Sequence, residues 1–356
     1  MPEVDRVASV TPEELAFHQG LMVVDGHSDL VVDIYRRHRR GETAVFRTVH
    51  AEPLRAAGVD VLMLSTGGDA PAQNVGSDDP LWCALQRIQS VHKEAAESGD
   101  VVALCTTTGE VERAYSAGKL ALLMMIEGGR PLRDDVGMVE LYHRLGIRSI
   151  QLTWNSRNLL GDGCAESETG GKLTRLGKAV VKAMNRLGMV IDLSHASEAT
   201  FYSALETSQA PIIVSHANAR AVCGHIRNLT DDQIRALARQ GGVIGACLFP
   251  RFIDPEWPSM ERLLDHVDHI ASLVGAEHIS LGPDLIDYAL DIFLPELRGY
   301  AQGTLYGNDF QFPDDLKDVT ALPLMTAGLR RRGWTAGDIA KVMGGNLLRV
   351  YRQIIG

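Results

Sequence analysis

The sequence predicts an α/β protein of the (β/α)8, or TIM, barrel class. Eight short apolar runs alternate with longer amphipathic segments over 356 residues, and the runs are apolar at nearly every position. Such runs are typical of parallel strands that are covered on both faces. No internal repeat or linker-like stretch divides the chain, so we expect one domain, residues 1–356. A doubly wound open sheet is the alternative fold.

The strands are predicted where β-branched and aliphatic residues cluster. In chain order they are "LMVVDGH" (21–27), "VDVLMLST" (59–66), "LALLMMIEGG" (120–129), "IRSIQLTW" (147–154), "MVIDLSH" (189–195), "PIIVSH" (211–216), "GVIGACLF" (242–249) and "HISLGPD" (278–284). A ninth run, "DVVALCTT" (100–107), does not fit an eight-stranded barrel. We interpret it as a short extra segment inside the second crossover.

Helices are predicted between these runs. The segment 174–188, "TRLGKAVVKAMNRLG", repeats apolar residues at helical spacing and stops at a glycine. The segments "DDPLWCALQRIQSVHKEAAESG" (78–99) and "DDQIRALARQGG" (231–242) also open on acidic residues and stop on glycine. Each of these segments can lie against the sheet as a crossover helix.

Charge and cysteine usage exclude several classes of protein. The formal net charge is −10 and the pI about 5.6, which argues against nucleic acid or an anionic membrane as a partner. No apolar stretch is long enough to span a bilayer, and the first twenty residues carry no signal-like segment. The five cysteines are scattered, which favours a cytoplasmic protein with reduced thiols. The oligomeric state is open, with a homodimer as one alternative.

Polar residues gather at the carboxyl ends of the predicted strands. "VVDGHSDL" (23–30) ends in a histidine and two acids, and four further strands each end in a histidine or a carboxylate. In a parallel barrel all these ends lie on one rim, where active sites are built. The residues expected to converge there are His27, Asp29, Glu127, His195, His216 and Asp284.

Three histidines and three carboxylates suit zinc or a similar divalent ion. Their number exceeds what one tetrahedral ion needs, so two ions that share a bridging carboxylate are predicted. Such a pair activates water and polarises a carbonyl or phosphoryl oxygen. A single strand-end histidine is more often structural, and it is the repetition over several strands that favours a metal site.

Over nearly its whole length the sequence resembles the renal-type, or membrane, dipeptidases of the amidohydrolase superfamily. The resemblance rests on "VVDGHSDL", "MMIEGG", "IDLSHAS", "IVSHANARAVCGHIRN", "LGPD" and "GGNLLRV". It implies a zinc-dependent (β/α)8 barrel that hydrolyses dipeptides. It also implies that His27 and Asp29 bind one zinc ion, His195 and His216 bind the other, and Glu127 bridges the two.

The resemblance implies two further roles. Asp284 takes the proton from the bridging water and delivers it to the leaving amine, which agrees with its position beside the predicted cations. Arg227 pairs with the free C-terminal carboxylate of the substrate, for which a guanidinium group is well shaped. Without the resemblance, a surface arginine before a helix is the simpler interpretation of Arg227.

One position departs from the family pattern. The renal enzymes end their fourth strand in "LTH", and that histidine helps to hold the reacting carbonyl. Here the sequence reads "LTWN", so Trp154 replaces the histidine and Asn155 follows. An indole N–H can donate a hydrogen bond but cannot exchange protons as imidazole does. We expect Trp154 and Asn155 to contact the substrate, and the departure leaves the nature of that substrate open.

Two long loops on the same rim, 155–171 and 287–312, are expected to be lids or walls of substrate subsites. The first hypothesis for function is a binuclear zinc dipeptidase that accepts a D-residue at the second position. The alternative keeps the metals but acts on a lactone, a phosphoester or a pathway-specific, peptide-like substrate. A metal- or ligand-binding protein without catalytic activity is the third, and Asp284 argues against it.

Overall fold

The computed structural model describes residues 9–71, 76–293 and 312–356. It contains one parallel sheet with the strand order β1-β2-β4-β5-β6-β7-β8-β9, curled into a nearly closed barrel. Its two ends approach each other at Gly26, where an added Cβ would lie 2.5 Å from the carbonyl oxygen of Leu281. The predicted (β/α)8 barrel is confirmed, and the open doubly wound sheet is excluded.

Among the described residues there are nine strands, and all but β2 are shorter than the apolar runs that predicted them. They are β1 Val23–Ser28, β2 Val59–Gly68, β3 Val102–Leu104, β4 Leu120–Glu127, β5 Ile147–Gln151, β6 Val190–Asp192, β7 Ile212–Val214, β8 Val243–Ala246 and β9 Ile279–Leu281. The ninth run forms β3, which pairs only with β4 and lies off the barrel path. It is therefore the extra segment in the second crossover that the sequence predicted.

Helices surround the barrel and fill the connections. The α-helices are α1 Pro12–Gln19, α2 Val31–Arg39, α3 Ala51–Ala56, α4 Pro80–Glu97, α5 Thr108–Ser116, α6 Gly137–Arg144, α7 Arg175–Leu187, α8 Glu198–Thr207, α9 Asp231–Arg239, α10 Pro250–Ile253, α11 Met260–Val274, α12 Ala321–Arg331, α13 Ala336–Ala340 and α14 Asn346–Ile355. Short turns of π-helix precede α3 and α14, at Phe46–His50 and Lys341–Gly345.

Helix α7 shows how the sequence specifies these boundaries. The hydroxyl of Thr174 caps its first turn by accepting a hydrogen bond from the amide of Gly177, and Gly188 ends it with a φ of 65°. The three predicted helical segments all form helices, as α4, α7 and α9. Each buries one apolar face against the sheet, which fixes its register on the barrel.

The C-terminal helix closes one end of the barrel. Leu347, Val350 and Tyr351 of α14 share a buried apolar cluster with residues of the strands, among them Val24 and Val190. The polar groups of the opposite end, where the strands finish, are left for the functional site. Every helix among the described residues is too short or too polar to cross a lipid bilayer.

The two predicted rim loops are described to different extents. Loop 155–171 is described throughout and contains a 3-10 turn at Cys164–Thr169. Most of loop 287–312 lies in residues 294–311, outside the described residues. All five cysteines are free and buried, in agreement with the predicted reduced thiols.

Candidate metal centre

The barrel brings the six predicted strand-end residues together. His27 lies in β1 and Glu127 ends β4, whereas Asp29, His195, His216 and Asp284 lie one to three positions beyond a strand. Five of the six are at most 5% exposed, and the side chain of Asp284 is 17% exposed. The connections thus carry these polar groups from the apolar sheet to one buried cluster at its carboxyl rim.

Glu127 lies at the centre of this cluster. Its Oε1 atom lies 3.2 Å from Nε2 of His195 and 3.8 Å from Nε2 of His216. Its other oxygen, Oε2, lies 3.7 Å from Nε2 of His27. The two carboxylate oxygens therefore face two different sets of imidazole nitrogens. A carboxylate in this position can bridge two ions.

His27 connects Glu127 with the other two carboxylates. Its Nε2 atom lies 3.9 Å from Oδ2 of Asp29 and 3.9 Å from Oδ1 of Asp284. Ligand atoms within 4.8 Å of one another form three overlapping groups that could each hold a metal ion. These groups are His27–Asp29–Glu127, Glu127–His195–His216 and His27–His216–Asp284.

The arrangement of donors fits divalent ions better than a hydrogen-bonded network. Neither ring nitrogen of His27 has a hydrogen-bond partner among the described residues, although the side chain is buried. Nε2 of His195 and Nε2 of His216 point at each other over 2.8 Å. Buried polar atoms that lack partners are rare unless they bind something else, and these atoms are the usual ligands of zinc.

The electrostatics of the cluster support the same conclusion. Burial, with a contribution from the charge of Arg227, lowers the pKa of His27 to about 3 and the pKa values of His195 and His216 well below 6.5. The three imidazoles are therefore neutral at pH 7, as metal ligands must be. Burial and the nearby Asp29 raise the pKa of Asp284 to about 8. Nearby cations lower the pKa of such a carboxyl group.

Two of the site residues have a left-handed backbone. The φ angles are 64° at His195 and 56° at Asp284, both outside the range that non-glycine residues prefer. Each follows a short strand, β6 or β9, and the unusual φ turns the chain out of the sheet. Such conformations are retained mainly where function requires them.

Each of the two paired histidines is held by a second residue. Nδ1 of His195 lies 2.6 Å from Oδ1 of Asn155, and Nδ1 of His216 lies 2.8 Å from Oγ of Ser215. Asn155, predicted to contact the substrate, is fully buried, and its side chain contacts His195. Ser215 was not predicted, although a serine precedes the histidine in both "SH" pairs.

Trp154 lies beside the cluster. Its ring centroid is 5.6 Å from that of His195, with the planes tilted by 31°, and the residue is 6% exposed. It belongs to an apolar cluster on the rim of the barrel. The buried members of this cluster are Val32, Ala70, Trp154, Cys247, Phe249, Phe252, Ile286, Ala289 and Phe293.

Arg227 is buried near the candidate metal ligands rather than exposed on a surface. Its Nη2 atom donates a hydrogen bond to the carbonyl oxygen of His216 over 3.2 Å, and its guanidinium lies 5.1 Å above the ring of Phe252. Its Nε–H has no hydrogen-bond partner among the described residues. The structure thus leaves a buried positive group with a free donor next to the cluster.

Asp69 is a site residue that the sequence reasoning missed. It follows β2, and its side chain accepts hydrogen bonds from the amide of Arg130 and from Nδ2 of Asn158, each over 2.7 Å. Its own amide donates to the carbonyl oxygen of Glu127 over 2.9 Å. Asp69 therefore ties the turns after β4 and β5 to Glu127. Its place at the end of the run "TGGD" was the available signal.

The model of the membrane dipeptidase family, peptidase family M19, matches residues 13–291 and 296–355. The chain belongs to this family. Dipeptidase verJ of Clonostachys rogersoniana is 34% identical over 277 residues, which cover 78% of this chain and 66% of that protein. Mouse dipeptidase 3 is 30% identical over 367 residues, which cover 96% of this chain and 66% of that protein.

The dipeptidase fold is also found among solved structures. A metallopeptidase from Rhodobacter sphaeroides, liganded with a phosphinate mimic of the dipeptide L-Ala-D-Ala, superposes with a TM-score of 0.79 at 22% identity. The alignment covers 94% of this chain and 99% of that one. This dipeptidase-family chain spans slightly less than two thirds of the length of the verJ protein and of mouse dipeptidase 3.

Proposed function

We propose that the protein is a binuclear, zinc-dependent dipeptidase that acts on dipeptides with a free C-terminal carboxylate. The observation that carries the proposal is the position of Glu127 between two sets of neutral imidazoles, at 3.2–3.8 Å. His27 and Asp29 would hold one ion, and His195 and His216 the other. When bound, two such ions supply polarisation of a carbonyl group and activation of water at neutral pH.

Asp284 is the proposed proton carrier of the reaction. Its Oδ1 atom faces His27 across 3.9 Å, so it lies beside the proposed metal positions. Burial and the nearby charge of Asp29 raise its pKa to about 8, and cations next to it would lower that pKa. A carboxyl group with a pKa near the working pH can both accept and return a proton.

Arg227 is the proposed anchor for the substrate carboxylate. Its Nε–H, which has no partner in the part of the chain that the structure describes, is the available donor, and Phe252 supports the guanidinium plane from one side. A carboxylate that pairs with a buried guanidinium is held by charge and by directed hydrogen bonds. With the carboxylate fixed there and the carbonyl at the metals, little room is left for a third residue.

The position of Trp154 favours a second candidate, in which the same metals act on another bond or on a pathway-specific substrate. The indole lies against His195, where the family pattern has a histidine. It contributes apolar surface and, at most, one N–H donor. Turnover of ordinary dipeptides would exclude this alternative.

The proposal is tested by metal analysis and by a substrate panel. Protein purified without chelator and reconstituted with zinc should hold about two ions per chain. The control variant is His38→Gln, because His38, Glu94 and Glu97 form the one other potential ligand group among the described residues. Glu94 already accepts hydrogen bonds from two backbone amides there. This variant should also retain two ions.

The panel compares Leu-Ala, Leu-D-Ala, Leu-Ala amide and Leu-Ala-Ala. The D-residue is included because the Rhodobacter sphaeroides neighbour holds a mimic of L-Ala-D-Ala. We expect turnover of the two free dipeptides, and little turnover of the amide and the tripeptide. Two bound ions without turnover of any dipeptide would favour the second candidate. A zinc content near zero would contradict both.

A further inference from the structure

A line of hydrogen bonds runs from His216 away from the metal centre into the barrel. Nδ1 of His216 lies 2.8 Å from Oγ of Ser215, and this oxygen lies 3.1 Å from Oγ of Ser194. Oγ of Ser194 lies 2.9 Å from Oδ1 of Asp192, the last residue of β6. All four residues are at most 1% exposed. Nothing in the proposed chemistry uses the two serines or Asp192.

Counting donors and acceptors fixes the direction of this line. Oδ1 of Asp192 accepts hydrogen bonds from the backbone amides of Ser194 and Ser215, over 2.9 and 3.1 Å, so it is an acceptor whether or not the other oxygen carries a proton. The hydroxyl proton of Ser194 must therefore point to Asp192. A hydroxyl has one proton and two lone pairs.

The same count of donors and acceptors then shows where the hydroxyl proton of Ser215 points. One lone pair of Ser194 Oγ accepts from the backbone amide of His216 over 3.1 Å. The remaining lone pair accepts the hydroxyl proton of Ser215. Ser215 has then used its only proton, and towards Nδ1 of His216 it can act only as an acceptor. Nδ1 of His216 must consequently carry the imidazole proton.

We propose that Ser215, Ser194 and Asp192 are positioning residues that fix the Nδ1–H form of His216 and direct its Nε2 lone pair to a metal ion. The inference rests on the proposed metal centre and adds three residues to it. Partners behind a ligating histidine fix its tautomer and ring orientation and increase its basicity. Here the partner is a relay of two hydroxyls that ends on a buried carboxyl group.

The other two histidines of the centre have different support. His195 is held by the amide oxygen of Asn155, and Nδ1 of His27 has no partner among the described residues. The relay reaches only His216. Loss of the relay should therefore lower the affinity for the ion held by His195 and His216. The affinity for the ion held by His27 and Asp29 should not change.

The test is a zinc titration of the full chain against a competing chelator. Ser215→Ala removes the acceptor for Nδ1–H of His216 and should lower the affinity for one of two ions by roughly 10- to 100-fold. The matched control is Ser149→Ala. Ser149 is equally buried, and its hydroxyl donates to the carbonyl oxygen of Val190, away from His216. At a chelator concentration that leaves two ions on the control, Ser215→Ala should retain about one.

A second pair of variants separates the relay from a general loss of fold. Asp192→Asn keeps an acceptor oxygen, because the two backbone amides hold the amide oxygen at the place of Oδ1. It should bind zinc nearly as the wild type does, whereas Asp192→Ala should behave as Ser215→Ala does. Thermal unfolding of the zinc-free forms shows whether each variant is folded.

Unchanged affinity for both ions in folded Ser215→Ala or Asp192→Ala would overturn the relay and leave the proposed metal centre intact. Equal weakening of both ions would also overturn it, since the relay contacts one ligand only. A wild-type chain that binds no zinc would overturn the metal centre and the relay together.

Discussion

Replacing Arg227 by methionine should remove most of the activity on free dipeptides. Arg227 is 2% exposed, and its Nε–H has no hydrogen-bond partner among the described residues, so a substrate carboxylate would form a buried charge pair with it. Loss of one member of such a pair costs about 2–5 kcal/mol. This corresponds to a fall of roughly 30- to 5,000-fold in kcat/KM. Methionine can keep the packing on Phe252.

The assay compares kcat/KM on Leu-Ala and on its C-terminal amide. The C-terminal amide group carries no negative charge, so the wild type should hydrolyse this substrate poorly, and Arg227→Met should reduce that rate little further. The control is Arg220→Met, because Arg220 lies in the same segment but donates to the carbonyl oxygens of Asn228 and Ile226. This variant should keep wild-type preference for the free dipeptide.

Metal analysis accompanies the Arg227 assay. The charge of Arg227 contributes to the lowered pKa values of His27, His195 and His216, so this arginine repels cations from the centre. Arg227→Met should therefore retain its two ions. An equal fractional loss on Leu-Ala and on its amide, with both ions bound, would show that Arg227 does not hold the carboxylate.

Three further predictions concern the metals and the fold. Glu127→Gln should reduce the bound zinc from about two ions to about one and abolish most turnover, because a neutral amide bridges cations poorly; full metal content with normal turnover would place the bridge elsewhere. Removing zinc with a chelator should lower the Tm, because an ion that binds only the folded chain adds about 2.7 kcal/mol to the free energy of unfolding when its free concentration is about a hundred times Kd. An unchanged Tm would contradict this. Burial lowers the pKa of His18 from 6.5, so the unfolded chain takes up this proton first as the pH falls. The free energy of unfolding should decrease below pH 6.5 by up to about 1.4 kcal/mol per pH unit from this group, and the decrease should be shallower in His18→Gln when both are measured by urea unfolding.

The fold and the cluster were predictable because both follow from patterns that are visible along the chain: the spacing of the apolar runs and the residues at their ends. Alternating apolar runs and helices define the barrel, and parallel strands must finish on one rim. It was enough to note which runs ended in histidine or a carboxylate. His195 and Asp284, each with a left-handed φ, lie three positions beyond the last residue of β6 and β9.

The contacts behind the ligands were not predictable, because they join loops whose shapes are set by packing. Asn155 was expected to contact the substrate from its place after Trp154, which stays a prediction; its contact with His195 was not expected. Asp69 connects turns that are far apart in the sequence. Ser194 and Ser215 are ordinary residues in sequence, and only their approach to within 3.1 Å gives them a role.

Loop 155–171 holds the strained backbone of His195, a residue of the candidate metal centre, in place. The amide of Cys164 donates to the carbonyl oxygen of His195 over 2.7 Å, and the amide of Ser197 donates to the carbonyl oxygen of Asp162 over 3.0 Å. The loop thus pairs with the chain at His195 and at Ser197, two residues further on, and the φ of 64° at His195 is unfavourable by about 1–3 kcal/mol.

The side chains of the same loop contribute as well. Asn155 accepts from Nδ1 of His195 and from the thiol of Cys164, so one amide oxygen connects the ligand with the loop that clamps its backbone. Asp162 pairs with Arg157 and also accepts a hydrogen bond from the hydroxyl of Thr169, which ties the two halves of the loop together. Because the loop is held in this way, we propose that it is a fixed wall of the site rather than a lid. Substitutions in it should therefore alter metal binding through His195 before they alter substrate access.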